Sequence, residues 1–211
     1  LLDAKSPNPS VETFLHAFLP YKFVDHTHAD AILDITNRPN SLELCRRIFG
    51  PKVGYVPYIM PGFLLAKKVY ETYQKNPDVN CLILLNHGIF TFSNSAKESY
   101  DLMIKNVTIA ESAIKKMKSK KIRQVSPATN TLRPSDIAPI LRGLLTDDNK
   151  DETFIINFRL NKDIKYFMNG VNVKKYSHRG TVTPDHVIRI KPYPLVIYLT
   201  QKDDLISFTE K

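Results

Sequence analysis

The sequence predicts an α/β fold, and three observations support that prediction. Short apolar segments typical of strands alternate along the chain with amphipathic patterns typical of helices. Two of the apolar segments, at 79–86 and 88–92, are separated by a tight turn and are followed by the longest helical pattern in the chain. Of the 211 residues, 43% are hydrophobic and 24% are charged, which is the composition of a globular protein with a buried core.

Local patterns predict the elements around these two strands. A helix is expected over 11–19, between Ser10 as its N-cap and Pro20, and the alternating residues 22–28 predict a strand. Further helices are predicted over 29–36, 42–49 and 62–74. Asn94 begins the longest helix, whose apolar positions recur at helical spacing on one face: Tyr100, Met103, Ile104, Val107, Ala110, Ile114 and Met117.

A change of composition predicts two domains. The stretch 126–132 is rich in Ser, Thr, Pro and Asn, which places the predicted domains at 1–125 and 126–211. A helix is predicted over 135–145. Four strand patterns follow, at 153–158, 163–168, 187–190 and 195–199. The second domain continues the first, either as a lid on the same sheet or as a small lobe.

The net charge of +9 raises the question of a nucleic-acid partner. Much of the excess lies in the basic run 115–123, which ends a helical pattern, where cations complement the helix dipole without any ligand. The run has no interleaved aromatic residues and no nucleic-acid-binding motif is found elsewhere, so no nucleic-acid partner is predicted. An anionic small substrate fits the same charge balance.

Cysteine content and apolar runs predict a cytoplasmic protein without a membrane partner. Cys45 and Cys81 have no metal or redox spacing and cannot form a disulfide framework, which is typical of a reducing compartment. No apolar run approaches the about 20 residues that a membrane-spanning helix needs. Residues 1–7 lack the charged and apolar regions of a signal peptide.

Two histidines form a candidate metal-binding pair. His26 and His28 lie two residues apart near the end of a predicted strand, where side chains at i and i+2 share one face. Two imidazoles on one face are how many zinc, iron or copper sites begin, although such a pair also arises by chance. Asp25 and Asp30 flank the pair and are candidates for the hydrogen bonds that fix imidazole tautomers.

Three more residues have two interpretations each. His87 ends a buried strand, and the glycine after it either allows close approach of the backbone at a site or marks an ordinary turn. Glu12 is either a charge that complements the helix dipole or a general base beside a metal. His186, in a Thr-Pro-Asp-His segment, either closes over the active site or is structural. His16 and His178 are interpreted as structural or surface residues.

Together these motifs resemble the class II aldolase and adducin-head family. Ser10-Val-Glu12 resembles the family's Ser-x-Glu turn, and His26-Thr-His28 resembles its H-x-H pair. His87 with the following glycine resembles the H-G step that completes a three-histidine zinc site, and it lies 59 residues after His28, close to the family's spacing. The longer sequences around these motifs most resemble the aldolase part of the bifunctional rhamnulose-1-phosphate aldolase/alcohol dehydrogenase proteins.

The resemblance implies a three-layer α/β/α fold with a central, mainly antiparallel sheet. It also implies a homotetramer with active sites near subunit contacts. Residue by residue, it makes His26, His28 and His87 the ligands of one zinc ion and Glu12 the catalytic acid/base. Ser10 falls where the family has a phosphate-contacting serine, at a helix N-terminus suited to an anion.

The implied activity is reversible aldol cleavage of a ketose 1-phosphate, specifically of rhamnulose 1-phosphate to dihydroxyacetone phosphate and lactaldehyde. In that chemistry zinc acts as a Lewis acid on the ketone and hydroxyl oxygens while the carboxylate moves the proton. Arg189 and Lys191, on one face of a predicted strand, are candidates for the phosphate, or else form a solvated face. Tyr55 and Tyr58 are the candidates for protonating the leaving aldehyde.

Two other functions remain open: a sugar-phosphate epimerase on the same scaffold, and a non-catalytic adducin-like interaction module, which would lack the metal histidines. In the family, a phosphate loop and several core strands precede the Ser-x-Glu turn, whereas nine residues precede Ser10 here. The chain is therefore expected to be a fragment or a separate short product with weak activity. An upstream segment or a fused dehydrogenase is expected in the full-length protein.

Overall fold

The computed structural model describes residues 3–117, 121–126, 132–146 and 154–198. No helix in these ranges is long and apolar enough to cross a membrane. The chain divides into two units of dense internal contact. The core unit is Leu1–Ser119 with Thr181–Ile190, and the second unit is Lys120–Gly180 with Lys191–Lys211. These units do not coincide with the two domains predicted above, whose division stays a prediction.

A four-stranded sheet forms the centre of the core unit. Its strands are β1 (Phe23–Thr27), β2 (Val53–Val56), β3 (Cys81–Leu84) and β4 (Gly88–Ser93). They lie in the order β1-β4-β3-β2. The β1–β4 and β3–β4 pairs are antiparallel and the β2–β3 pair is parallel, so the sheet is mainly antiparallel, as predicted.

Helices cover both faces of this sheet. They are α1 (Thr13–Phe18), α2 (Asp30–Thr36), α3 (Ser41–Phe49), α4 (Phe63–Lys75) and α5 (Ala96–Lys116). Because side chains alternate along a strand, one face buries Leu82, Leu84, Phe90 and Phe92 against α1 and α4. The other face buries Cys81, Ile83 and Ile89 against α2, α3 and α5. Burying each of these Leu, Ile or Phe side chains contributes about 1.5–3 kcal/mol to the stability of the fold. The predicted three-layer α/β/α fold is confirmed.

Three differences from the sequence prediction concern the first helix, the longest helix and strand β2. The first helix begins at Thr13 rather than at residue 11, because residues 10–12 form a turn in which the Ser10 carbonyl accepts a hydrogen bond from the Thr13 amide. Tyr100 and Ile104 on α5 are exposed, so the predicted apolar face is wrong at those two positions. Strand β2 was not predicted, because it is short and contains Gly54, which leaves room for Leu82 packed against it.

The described residues of the second unit contain three helices: α6 (Pro134–Leu145), α7 (Lys162–Met168) and α8 (Val173–Ser177). The helix predicted over 135–145 is confirmed. The strand predicted at 163–168 is wrong, because Asn161 caps a helix there by accepting a hydrogen bond from the Ile164 amide. The described residues of the strands predicted at 153–158 and 195–199 have no strand structure, and the remaining ones lie outside the described ranges.

Helix α9 (Pro184–Arg189) belongs to the core unit and replaces the strand predicted at 187–190. The Thr183 side chain caps it by accepting a hydrogen bond from the His186 amide, and Pro184 occupies its first turn, where a missing amide proton costs nothing. Arg189 is its last residue and Lys191 lies beyond it. The prediction that these two cations share one face of a strand is therefore wrong.

Candidate metal centre

Four side chains from distant parts of the sequence meet at one end of the sheet. They are Glu12, His26, His28 and His87, and each offers a ligand atom within 4.8 Å of the others. The ring centroids of the three histidines lie 4.6, 5.0 and 5.3 Å apart. These are the residues that the sequence predicted as a zinc site and its acid/base, and the structure brings all four together.

The pairing of β1 with β4 positions the first two histidines. His26 lies opposite Phe90 in the antiparallel register, and its ring stacks on the Phe90 ring at 4.0 Å with an angle of 10°. His26 shares its face of the sheet with Val24, which packs into the core beneath α1 and α4. His28 lies just past the end of β1, beside Gly88 at the start of β4.

His87 comes from the tight turn between β3 and β4. Asn86 has a left-handed backbone (φ 61°), and the His87 amide donates to the Leu84 carbonyl at 3.1 Å, which closes the turn. The antiparallel β1–β4 pairing brings this turn to the end of β1, so His87 faces the pair. Its side chain is only 2% exposed, and its Nδ1 has no hydrogen-bond partner among the described residues.

Glu12 reaches the histidines from the start of α1. It is the N-cap residue of that helix, and its amide donates to the Ser10 hydroxyl at 3.2 Å. The prediction of Ser10 as the N-cap is therefore wrong, and Ser10 instead shapes the turn that carries Glu12. Glu12 Oε1 lies 3.0 Å from Nε2 of His87, and 3.4 and 3.5 Å from Nε2 of His26 and His28.

Hydrogen bonds on the outer ring nitrogens fix two of the imidazoles. His26 Nδ1 donates to the Ile89 carbonyl at 2.9 Å, and His28 Nδ1 donates to Asp185 Oδ2 at 2.8 Å. Both partners are acceptors, so the two Nε2 atoms carry the lone pairs, and they lie only 2.9 Å apart. Two lone pairs at this distance repel unless a proton or a metal cation lies between them. Three imidazoles and a carboxylate are a common donor set for a divalent metal, so the residues present fit such an ion.

The electrostatics of the cluster favour a charged Glu12. The nearby histidine side chains, first of all His26, hold the pKa of Glu12 well below its usual range, since any of them that is protonated stabilises the carboxylate. Glu12 raises the pKa of His28, because it can accept a hydrogen bond from Nε2 of the protonated ring, and Asp185 contributes further. Burial lowers the pKa of His26, because desolvation of the cation outweighs its contact with Glu12. The carboxylate is therefore ionised at neutral pH.

Sequence reasoning missed the partners of the outer nitrogens. Asp25 and Asp30 were the predicted partners, but Asp25 points to the opposite face of the sheet from His26, and Asp30 begins α2. The structure instead places Asp185 on His28, from 157 residues away. The signal that could have found it is the Thr-Pro-Asp segment, since Thr and Pro fix a helix start and thereby aim the next side chain.

The remaining predicted residues lie outside the cluster. Ser10, Arg189 and Lys191 are exposed, and their role as phosphate ligands stays a prediction. His186 Nδ1 lies 2.6 Å from the Thr183 hydroxyl, within the cap of α9, which fits the structural interpretation. The Tyr55 hydroxyl donates to the carbonyls of Cys45 and Gly50, and the ring packs against the α2, α3 and α5 side of the sheet.

Replacing Gly88 with alanine is expected to damage the metal centre and to destabilise the fold by about 1–3 kcal/mol. An added Cβ would overlap the Thr27 carbonyl oxygen and lie 3.0 Å from His28 Cδ2 and 3.1 Å from His26 Cε1. The strand carrying the histidine pair would have to move. Urea unfolding and zinc titration measure the two effects.

Gly143→Ala is the matched control, because a Cβ at this position of α6 meets no atom within 4 Å. This variant is expected to be neutral or slightly stabilising, since alanine forms helices better than glycine. Unchanged zinc affinity and unfolding midpoint in Gly88→Ala would contradict the close approach seen here.

Comparisons with known proteins show which family the chain is similar to. The chain matches the family model described as Class II Aldolase and Adducin N-terminal domain over residues 2–114, and the one described as Aldolase class II, second domain over 133–211. A Bacillus subtilis (strain 168) protein described as the uncharacterized oxidoreductase YuxG is 33% identical over 204 residues, which cover 93% of this chain and 29% of that protein. The chain thus spans less than a third of this curated relative.

A solved structure is similar as well. The N-terminal class II aldolase domain of a conserved protein from Thermoplasma acidophilum is 49% identical with a TM-score of 0.50, over 54% of this chain and 52% of that chain. The first family model covers more than half of the present chain. The protein therefore belongs to the class II aldolase and adducin family.

Proposed function

We propose that the chain is the aldolase part of a zinc-dependent lyase that reversibly cleaves a ketose 1-phosphate. The proposed substrate is rhamnulose 1-phosphate, with dihydroxyacetone phosphate and lactaldehyde as products. The family domains point to an aldolase- or lyase-type activity. The observation that carries the proposal is the convergence of three imidazole nitrogens and one carboxylate oxygen in a single cluster.

Zinc is the proposed ion, held by Nε2 of His26, His28 and His87. Catalytic zinc sites commonly have three protein ligands and leave a further position for water or substrate. When bound, zinc supplies Lewis acidity that stabilises the negative charge developing on the ketone oxygen. Adducin-like modules were expected to lack the metal histidines, so the presence of all three supports an enzyme over a non-catalytic module.

Glu12 is the proposed acid/base. Its pKa lies well below the usual range, so the carboxylate is ionised and can accept a proton. Its side chain is 26% exposed, against 2% for His87, so it is the more accessible of the two to a substrate entering from solvent. In the condensation direction, Glu12 takes a proton from the hydroxyl-bearing carbon next to the ketone of dihydroxyacetone phosphate.

The proposal also names residues for the phosphate and an arrangement for the full-length protein. Ser10, Arg189 and Lys191 are exposed in the core unit or next to it in sequence, and the two cations suit an anion. The Bacillus subtilis relative is described as an oxidoreductase and is much longer than this chain, which fits an aldolase part joined to a dehydrogenase. We also propose a homotetramer, in which a subunit contact would cover the exposed apolar side chains Phe14, Phe63 and Leu64 on α1 and α4.

The test is solvent deuterium incorporation into dihydroxyacetone phosphate, together with cleavage of rhamnulose 1-phosphate, by the zinc-loaded chain. Exchange and cleavage are expected with zinc, and both should disappear on chelation and return when zinc is restored. Interconversion of ketose phosphates without cleavage would favour an epimerase. A well-folded chain that binds no metal and catalyses no exchange would overturn the proposal.

A further inference from the structure

A segment from near the C-terminal end of the described chain packs beside the metal centre. Thr181–Ile190 lies in the stretch matched by the second-domain family model, yet it packs with the core unit. It contains the Thr-Pro-Asp-His motif, to which the proposed chemistry assigns no role. One hydrogen bond joins this segment to His28, and a second joins it to Asn37 at the end of α2.

The first hydrogen bond runs from His28 to Asp185. His28 Nδ1 donates to Asp185 Oδ2 at 2.8 Å. This bond keeps the proton on Nδ1 and therefore leaves the lone pair on Nε2, the atom that faces Glu12. It also fixes the rotation of a ring that lies past the end of β1, where strand pairing no longer holds it.

The cap of α9 sets the position of Asp185. Thr183 is only 5% exposed, and its side chain accepts a hydrogen bond from the His186 amide. Pro184 fixes the backbone at the start of the helix. Asp185 therefore projects from a preorganised turn, so little backbone freedom is lost when its side chain contacts His28.

The second hydrogen bond joins the segment to Asn37 at the end of α2, and Asn37 in turn bonds to the turn that carries His87. Asn37 Nδ2 donates to the Val182 carbonyl at 2.9 Å, and Asn37 Oδ1 accepts from Asn86 Nδ2 at 2.9 Å. Asn86 precedes His87 and has the left-handed backbone that shapes the turn. The segment is thus tied to the region of His87 through Asn37 and to His28 through Asp185.

We propose that Thr181–Ile190 is a clasp on the metal centre, in which Asp185 is a positioning residue that orients His28 for metal binding. The proposal rests on the zinc centre proposed above and adds a role for a residue of the second family domain. If contact with the clasp strengthens zinc binding, then zinc binding must strengthen the contact with the clasp by the same factor.

The test compares the zinc affinity of the full chain with that of Asp185→Asn and Asp185→Ala. Loss of such an outer partner commonly weakens metal binding by about 10–100-fold. Asp185→Ala is expected to show this loss, whereas Asp185→Asn should lose less, because its amide oxygen can still accept from Nδ1. In nitrogen NMR of the zinc-loaded protein, the His28 ring should change in both variants and the His26 ring should not.

Asp34→Asn is the matched control. Asp34 lies on α2, pairs with Arg38 and is 44% exposed, against 54% for Asp185, and it is not a member of the histidine cluster. This variant should bind zinc as the wild type does. If Asp185→Ala is misfolded by circular dichroism, the nearly isosteric Asn variant decides the question.

Two outcomes separate the proposals. If wild-type protein binds no zinc, the metal centre itself is wrong. If the wild type binds zinc and a folded Asp185 variant binds it equally tightly, with an unchanged His28 signal, the clasp is overturned and the metal centre stands. A variant that loses thermal stability while keeping both readouts would show Asp185 to be only a charge at the start of α9.

Discussion

Replacing Glu12 with glutamine is expected to slow solvent deuterium incorporation into dihydroxyacetone phosphate by about 10²–10⁴-fold, the usual contribution of a general base. Glutamine has nearly the same shape and keeps a side-chain oxygen beside the histidines, but it cannot take a proton from carbon. The three imidazole nitrogens remain in place, so zinc is expected to stay bound. Exchange is measured by NMR and zinc by elemental analysis.

Glu71→Gln is the control for this prediction. Glu71 lies on α4, pairs with Lys68 and is 43% exposed, so its replacement removes the same charge from the core unit without touching the cluster. It should leave exchange unchanged. If Glu12→Gln exchanges as fast as the wild type, Glu12 is only a charge at the start of α1. If it loses zinc and regains exchange in excess zinc, Glu12 is a ligand rather than the base.

The metal cluster was predictable because it depends on short-range patterns and one long-range pairing. The period of two along β1 puts His26 on the same face as Val24, beneath α1. The turn between two apolar strands places His87 at one end of the sheet. The family resemblance was needed to join His87 to the pair His26 and His28. The register that brings β4 beside β1 cannot be derived from local pattern alone.

The errors came from short apolar runs and from backbone partners. The periodicity of a run of about six residues fits a strand or a helix equally well. At 163–168 and 187–190 the chain is helical, because the side chains of Asn161 and Thr183 cap helices there. The acceptor for His26 is the carbonyl of Ile89, a group that every residue possesses. The acceptor for His28 lies on a segment whose docking depends on tertiary packing.

Replacing His28 with alanine is expected to remove zinc almost completely, from about one ion per chain to less than about a tenth. Of the three histidines, His28 is the most exposed, at 16% against 7% for His26 and 2% for His87. Its loss therefore leaves the smallest cavity and should affect folding least. Two imidazoles and a carboxylate would remain, without the third imidazole nitrogen of the proposed zinc site.

His16→Ala is the histidine control in the same unit. The His16 ring packs edge-on against Phe90 at 5.5 Å, so this variant removes an imidazole close to the site without removing a member of the cluster. Because His16 is exposed, the variant should fold and retain zinc. Equal zinc contents in the folded His28→Ala and His16→Ala variants would mean that the ion lies elsewhere. A selective loss in His28→Ala is the expected result, because only that ring points its free nitrogen at both Glu12 and His26.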